Sequence, residues 1–281
     1  MLHHQRIVLG IQLGAARPDL MRQAAEMAHL LGLEVFGVFV VDEAVIGAAS
    51  FPFAREFRLH SHEWHPMDLG SVETEFRHAA NTAKRLLTTV TQALGVRAAF
   101  EVRRGDPSGV VADLLCSSDI VVLAEPKQGG DELTQSFLRA WRTACGSDAS
   151  VLLLPPGRMR QRGSVVALLG GERVVRTAAH IAALAGETLV LLGPAATLAA
   201  VAVDLPADRV RARALSDVTD NALRFALGEG AERLLVLDRD GLSTEQEAAA
   251  LRVAAARGTP VLLVGGGVGG IFALSPPHKP E

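Results

Sequence analysis

The first half of the chain alternates short apolar runs with longer segments in which apolar residues recur every three or four positions. The short runs are rich in β-branched residues, which is typical of buried strands, and the longer segments have helical periodicity. The short runs predict five strands, at residues 6–11, 34–41, 97–103, 119–124 and 150–154. The periodic segments predict helices at 18–31, at 72–94, after the turn Gly105-Asp106-Pro107, and near 131–144.

The second half repeats this order from residue 164 in a shorter form. Its strands are predicted at 164–170, 188–192, 209–215, 234–238 and 260–264, and its helices at 172–185, 217–228 and 243–256. Strands separated by right-handed helical crossovers form a parallel sheet that is covered on both faces. The pattern therefore predicts an α/β protein with two tandem doubly wound domains, at residues 1–154 and 164–264.

The domain boundary is predicted at Pro155-Pro156-Gly157, which is followed by a basic, polar stretch up to residue 163 with nothing to bury. Residues 155–163 are thus expected to be an exposed linker, and the glycine-rich residues 265–281 a flexible tail. Each half ends in an apolar strand, SVLLL or PVLLV, whose open edge would promote aggregation. We therefore expect the halves to pair as an internal pseudo-dimer, and a homodimer remains an open alternative.

Composition narrows the classes of function. The chain has 281 residues, of which 49% are hydrophobic and 21% charged, as in a well-buried folded protein. Its net charge of -3 provides no positive field for a phosphate backbone, so no nucleic-acid partner is expected. Two distant cysteines indicate a reducing compartment, and no apolar run is long enough for a membrane span. We expect a cytoplasmic protein that does not bind a membrane.

A set of short motifs, taken in order, resembles the universal stress protein family. They are the opening IVLGIQLG, the strand end VFVVDE, the turn RRGDP, the pair SDIVVLA and the closing ASVLLL, with echoes GAERLLVLD and GTPVLLV in the second half. The resemblance covers residues 6–154 and, with fewer matches, 164–264. It implies two flavodoxin-like domains of the adenine nucleotide alpha hydrolase type, each with strand order 3-2-1-4-5, which pair through their last strands.

A ligand crevice in such a sheet forms beyond the carboxyl ends of the first and fourth strands, where the strand order reverses. The resemblance implies that adenine-nucleotide contacts would come from six positions of this chain: Gln12, Val40, Ala124, Lys127, Gly129 and Gly130. The ATP-binding branch of the family has an acidic residue at the end of the first strand and a spaced glycine loop after the fourth, whose amides close on phosphates.

This chain departs from that pattern in both halves. Gln12 replaces the acidic residue, and a loop counted from Ala124 places Lys127, Phe137 and Leu138 at the glycine and hydroxyl positions. In the second half Gly241 fits after Asp238, but Leu251 and Arg252 occupy the late positions. Glu125, Asp131 and Glu132 would also repel an anion at the first site. A degenerate nucleotide site is therefore predicted, and no cofactor, although ATP or AMP bound through Lys127, Gly129 and Gly130 stays an alternative.

The connection at residues 42–70 is rich in histidine and aromatic residues. His60, His62 and His65, with Glu63, are side chains that could hold zinc, although their spacing matches no standard site. The favoured interpretation is a surface loop whose Phe51, Phe53, Phe57 and Trp64 pack over the domain. Loops of this length are often functional, and this one suits a lid or a partner-binding surface.

Catalytic motifs are missing from the sequence. Cys116 and Cys145 have no histidine nearby and are expected to be buried thiols, and no GxSxG motif is present. The leading hypothesis is a non-enzymatic stress-response or regulatory protein that binds an unidentified protein partner. The alternatives are an adenine-nucleotide sensor with an altered loop and a metal-binding module centred on the histidines.

Overall fold

The computed structural model of the protein describes residues 6–13, 17–58, 62–125, 131–201 and 206–265. Ten of the strands in these ranges form one sheet, and two more form a separate hairpin. All neighbours in the large sheet are parallel except one antiparallel pair at its centre. The predicted α/β class with a large, mostly parallel sheet is therefore confirmed.

The elements of the first half follow the predicted alternation, with an insertion between the second and third strands of the sheet. They are β1 (Arg6–Ile11), α1 (Pro18–Leu31), β2 (Glu34–Asp42), α2 (Glu43–Ala49), β3 (Arg55–Arg58), β4 (Glu63–Pro66), α3 (Leu69–Ala93), β5 (Ala98–Gly105), α4 (Pro107–Leu114), β6 (Ile120–Ala124), α5 (Asp131–Cys145) and β7 (Ser150–Leu154).

The second half is shorter between its second and third strands, where it has a six-residue helix in place of both the insertion and the long helix α3 of the first half. Its elements are β8 (Ser164–Leu168), α6 (Glu172–Ala185), β9 (Leu189–Gly193), α7 (Ala195–Ala200), β10 (Val210–Ala214), α8 (Asp220–Leu227), β11 (Glu232–Asp238), α9 (Thr244–Arg257) and β12 (Val261–Val264). A short 3₁₀ turn, Ala207–Arg209, precedes β10.

The strand order across the sheet is β10-β9-β8-β11-β12-β7-β6-β1-β2-β5. The two halves meet where β12 pairs with β7 in antiparallel register, with Leu262 opposite Leu152. The antiparallel junction turns the second half around relative to the first. The carboxyl ends of the strands in one half therefore lie at the same sheet edge as the amino ends in the other.

The hydrophobic core lies on both faces of this sheet. On one face, side chains of α1, α3 and α6 pack on strand residues that include Leu152 and Leu262. On the other face, α5, α8 and α9 pack on residues that include Val151 and Leu263. Each core layer runs without a break across the junction, so the two halves share their buried surface.

The stretch 155–163 was expected to be exposed throughout, and this is wrong at Pro155, which is buried. The buried Gln23 side chain of α1 donates hydrogen bonds to the carbonyls of Pro155 and Gly157. Farther along, the Gln161 side chain donates to the Glu26 carboxylate at 3.0 Å. The connection is held against α1 because its carbonyls satisfy a buried amide that would otherwise lack a partner.

Candidate functional site

A small cavity lies in the crevice at the carboxyl end of β1, between the sheet and helices α4 and α5. Its volume is ≈ 80 Å³, and apolar side chains such as Val111 and Val122 form most of its wall. Small-molecule sites usually span about 300 to 1,000 Å³, so the cavity formed by the described residues is well below that size. Ser108, Thr143 and Gln12 contribute its polar groups.

Two of the predicted nucleotide contacts come together at this cavity. Gln12, just past β1, and the buried Val40, near the end of β2, both line it. Ala124 ends β6 but does not line the cavity. Lys127, Gly129 and Gly130 lie outside the described residues, so their contribution stays a prediction.

Two helices close the crevice on one side. Pro107 begins α4, and the side chain of Asp106 caps it by accepting a hydrogen bond from the Gly109 amide at 2.8 Å. Gly10 in β1 lets α4 approach, because a Cβ at this position would lie 3.1 Å from the Val111 side chain. Helix α5 runs unbroken through Phe137 and Leu138, the positions that the resemblance assigned to a glycine and a hydroxyl residue.

A carboxyl group lies at the same sheet edge as the crevice. Glu125 directly follows β6, and its amide donates to the Leu154 carbonyl at 2.9 Å, which holds it at the sheet edge. Burial raises the pKa of the Glu125 carboxyl above its ordinary value of 4.5. The side chains of Asp131 and Glu132, the other expected anions, are outside the described part of the chain.

The corresponding crevice of the second half contains a carboxylate. Asp238 at the end of β11 lies among three glycines: a Cβ on Gly170 would be 2.7 Å from the Asp238 Cβ, and Cβ atoms on Gly171 and Gly241 would be 2.9 and 2.8 Å from Oδ2. Asp238 Oδ1 accepts a hydrogen bond from the Asp240 amide at 3.1 Å. The three glycines make room for the Asp238 side chain, which occupies the space between them.

Asp238 also faces the start of a helix. Gly171 is the N-cap of α6 and supplies no side-chain cap, so the first amides of this helix have no side-chain acceptor from that residue. A carboxylate beside a helix N-terminus is favoured by the helix dipole. Asp238 Oδ2 thus lies beside Gly171 at the start of α6, the kind of place where helix amides hold bound anions.

The connection at residues 42–70 is a folded insertion rather than a plain loop. It begins with α2, which Asp42 caps by accepting from the Ala44 amide at 2.8 Å, and continues into the hairpin β3–β4. We call α2, the hairpin and the turn between them the aromatic insertion, residues 43–66. Because β1 and β2 are parallel, the aromatic insertion starts at the same sheet edge as Gln12.

The aromatic residues of this insertion were expected to pack over the domain, and this expectation is wrong. Phe51, Phe53, Phe57 and Trp64 are 55%, 80%, 43% and 60% exposed. They pack instead on one another: the Phe51 and Phe53 rings stack with centroids 5.7 Å apart, and the Phe57 and Trp64 rings are 5.3 Å apart. The insertion therefore presents paired aromatic rings to solvent.

The candidate metal ligands are only partly described. His60 lies outside the described residues, His62 is exposed beside the Phe57 ring, and His65 Nε2 lies 3.5 Å from Glu63 Oε2. Within the described ranges, no group of three or more histidine, cysteine, aspartate or glutamate residues could hold a metal ion. Metal binding by His60, His62 and His65 stays a prediction.

The two cysteines differ in their surroundings. Cys116 is exposed, so the expectation of a buried thiol is wrong there. Cys145, at the end of α5, is partly buried, and burial together with the nearby Glu247 raises the pKa of its thiol to about 11. Such a thiol is protonated at neutral pH and is a poor nucleophile.

None of the helices in the described part of the chain is both long enough and apolar enough to cross a membrane.

Comparison with known proteins gives structural matches only. No family model matches the sequence, and no curated protein matches it. A crystal structure of a universal stress protein from Archaeoglobus fulgidus DSM 4304 superimposes with a TM-score of 0.58 at 12% identity, covering 93% of this chain and 97% of that one.

Two Pseudomonas aeruginosa structures match with a TM-score of 0.54 at 14% identity. One is a protein of unknown function from strain PAO1, with 93% of this chain and 92% of that chain covered. The other, from strain UCBPP-PA14, carries a provisional universal stress protein name, with 93% of each chain covered. At these identities the likeness establishes the fold, and it confirms the resemblance that the motifs indicated.

Proposed function

We propose that this protein, whose fold is that of the universal stress proteins, is a non-enzymatic regulator that acts by binding a protein partner. Each half would correspond to one domain of that family, with strand order 3-2-1-4-5. The two halves would form an internal pseudo-dimer through β7 and β12, in a cytoplasmic protein. The antiparallel junction and the shared core layers support this arrangement.

The observation that carries the proposal is the aromatic insertion. Its four aromatic residues, Phe51, Phe53, Phe57 and Trp64, expose large apolar rings on one short segment. Scattered apolar residues are normal on a protein surface, but clustered ones mark binding sites. Aromatic residues are also enriched in the centres of protein interfaces, where a few of them provide most of the binding energy.

The loss of phosphate binding is supported by the charges at both crevices. Glu125 follows β6 in the first half, and Asp238 ends β11 in the second. A phosphate about 4 Å from a carboxylate meets a repulsion of roughly 1 to 4 kcal/mol at surface dielectrics. The small volume of the first cavity adds a steric obstacle. The carboxylates and the small cavity both agree with a regulator that binds no triphosphate.

The partner-binding claim is testable inside cells. A photo-crosslinking residue in place of Leu69, which borders the aromatic insertion and is exposed, would capture the partner for identification by mass spectrometry. The affinity of the purified partner is then measured for the wild type and for the double variant Phe53→Ser/Trp64→Ser. Phe225→Ser is the matched control, because Phe225 is 91% exposed but lies on α8 in the other half.

We expect the double variant to bind the partner at least about tenfold less tightly than the wild type, since buried aromatic anchors typically contribute 2 kcal/mol or more to binding. The control should bind like the wild type. An affinity that is unchanged in the double variant would reject the aromatic insertion as the binding surface.

A second candidate is an adenine-nucleotide sensor with an altered loop. It is favoured by the fact that Gln12 and Val40, both predicted nucleotide contacts, line the same cavity. Lys127, Gly129 and Gly130 would then supply the phosphate contacts for ATP or AMP. Tight nucleotide binding that is lost in Lys127→Ala would select this function over the first.

A further inference from the structure

The strand β5 ends the ten-stranded sheet on the side of the first half. Within the described residues no strand pairs with its outer edge, although it is eight residues long. Val102 at its middle is apolar and 50% exposed, and it lines a groove of ≈ 250 Å³ between α3 and the strand. Such an edge is a template for pairing with another chain.

The register of β5 shows which of its backbone groups face outward. The Val35 amide donates to the Arg97 carbonyl at 2.9 Å, and Val35 is aligned with Ala98 in the parallel pair. In parallel pairing, the odd-numbered residues of β5 therefore bond to β2, and the even-numbered residues direct their amides and carbonyls outward. Phe100, Val102 and Arg104 are the outward-facing residues at the centre of the strand.

The side chains of β5 are complementary to a second copy of the same strand. If two copies pair in antiparallel register around Val102, then Val102 lies opposite Val102, Glu101 lies opposite Arg103, and Phe100 lies opposite Arg104. The Glu101–Arg103 charge pair and the Phe100–Arg104 pair each occur twice because of the twofold axis. Opposite charges directly across a strand pair stabilise it, and an arginine beside an aromatic ring adds a cation–π contact.

Glu101 and Arg103 already form an ion pair within a single copy. Arg103 Nε lies 2.8 Å from Glu101 Oε1 on the same face of the strand, and both side chains remain partly exposed. In the paired arrangement each of them would meet an opposite charge in its own copy and in the other.

The opposite edge of the sheet, strand β10, opposes pairing with a second copy of itself. Directly after β10, the Leu215 amide donates to the Gly193 carbonyl at 2.8 Å, and with this register Ala212 is the outward-facing centre of the strand. A twofold pairing around Ala212 would place Arg211 opposite Arg213, twice. Like charges directly opposite are destabilising, so β10 is protected against self-pairing where β5 is not.

We propose that two copies of this protein pair through β5, with Val102 on the twofold axis, to form a homodimer with one continuous sheet. The pairing surface uses none of the four exposed aromatic rings, although Ile46 of α2 lines the same groove as Val102. The dimer is measured on the purified protein alone, so its result does not depend on the partner-binding function.

Sedimentation equilibrium across the micromolar range tests the proposal with a charge swap. Glu101→Arg and Arg103→Glu each place like charges opposite one another twice, and each should raise the dimer dissociation constant at least about tenfold. The double variant Glu101→Arg/Arg103→Glu restores the complementary pairs and should return the dissociation constant to within about threefold of the wild type. Arg211→Ala on β10 is the matched control and should leave it unchanged.

Circular dichroism confirms that each variant remains folded, which is expected because exposed ion pairs contribute little to stability. A wild type that is monomeric throughout, single variants that still dimerise like the wild type, or a double variant that fails to recover would each overturn the proposal.

Discussion

Leu152 of β7 lies directly opposite Leu262 of β12, at the centre of the antiparallel pair that joins the two halves. Both side chains are buried in the same core layer, which also contains residues of α1 and α6. The connection between the halves is thus a piece of continuous core rather than a surface contact.

This junction predicts that the two halves unfold together. Leu262→Ala should lower the free energy of unfolding by about 2 to 5 kcal/mol, as is usual for a buried leucine. The first half should be destabilised as much as the second. Both tryptophans, Trp64 and Trp141, lie in the first half, so their fluorescence reports on it alone, while circular dichroism reports on both halves. In urea, the two signals of the variant should shift together.

The control for this experiment is Leu184→Ala, because Leu184 lies on α6 of the second half but is half exposed, unlike the buried Leu262. It should leave the urea midpoint nearly unchanged. A fluorescence transition that stays at the wild-type midpoint in Leu262→Ala would show that the halves unfold independently.

Glu125 should make stability depend on pH. Because burial raises the pKa of this carboxyl in the folded state, its ionised form is disfavoured by folding. Its contribution to stability is fully present below the unfolded value of 4.5 and is lost as the pH rises through the higher folded value. Glu125→Gln should therefore melt at a higher temperature than the wild type at pH 7, and at the same temperature near pH 4.

Thermal melts at several pH values, with Glu75→Gln as a control, check this prediction, because Glu75 is exposed and lies away from the first turn of α3. The Glu75 variant should follow the wild type at every pH. If Glu125→Gln were destabilising at neutral pH, the carboxylate would have a favourable partner, and the argument from burial would be wrong.

Asp238 should act as an internal substitute for an anion. Asp238→Asn keeps the shape of the side chain but removes the charge beside the N-terminus of α6, which should cost about 0.3 to 1 kcal/mol. Millimolar inorganic phosphate should raise the melting temperature of this variant more than that of the wild type. Asp240→Asn, whose side chain is 63% exposed, serves as the control.

Equal responses to phosphate in the wild type, Asp238→Asn and Asp240→Asn would contradict this role for Asp238.

The two cysteines should differ in reactivity. At the raised pKa of about 11, Cys145 has about a hundredfold less thiolate near pH 8 than at its ordinary value of 9.0. A disulfide reagent should therefore label the exposed Cys116 rapidly and Cys145 only after unfolding. Cys116→Ser should abolish the fast phase, whereas Cys145→Ser should keep it. A fast phase that persists in Cys116→Ser would show that Cys145 is accessible and ionised.

The buried strands could be predicted from the sequence because burial leaves a clear pattern. Runs such as VLLL before Pro155 are apolar at every position, and a parallel sheet covered on both faces requires this. The hairpin β3–β4 could not be predicted in the same way. Its strands, REFR and EWHP, have no buried face, and hydrophobic periodicity reports only on burial.

The candidate sites could likewise be predicted only in part. Gln12 and Val40 were predicted together because the carboxyl ends of neighbouring parallel strands share an edge. The position of Asp238 among Gly170, Gly171 and Gly241 was not predicted, because it depends on side-chain placement between distant segments. The glycine pair after one strand and the glycine three residues after Asp238 were its only signal in the sequence.

The most direct test of the account is isothermal titration calorimetry of the purified protein with ATP and AMP, with and without magnesium. We expect no saturable heat up to millimolar nucleotide, because Glu125 and Asp238 oppose phosphate in the two crevices. Stoichiometric binding with a micromolar dissociation constant, lost in Lys127→Ala, would contradict it and establish the protein as a nucleotide sensor.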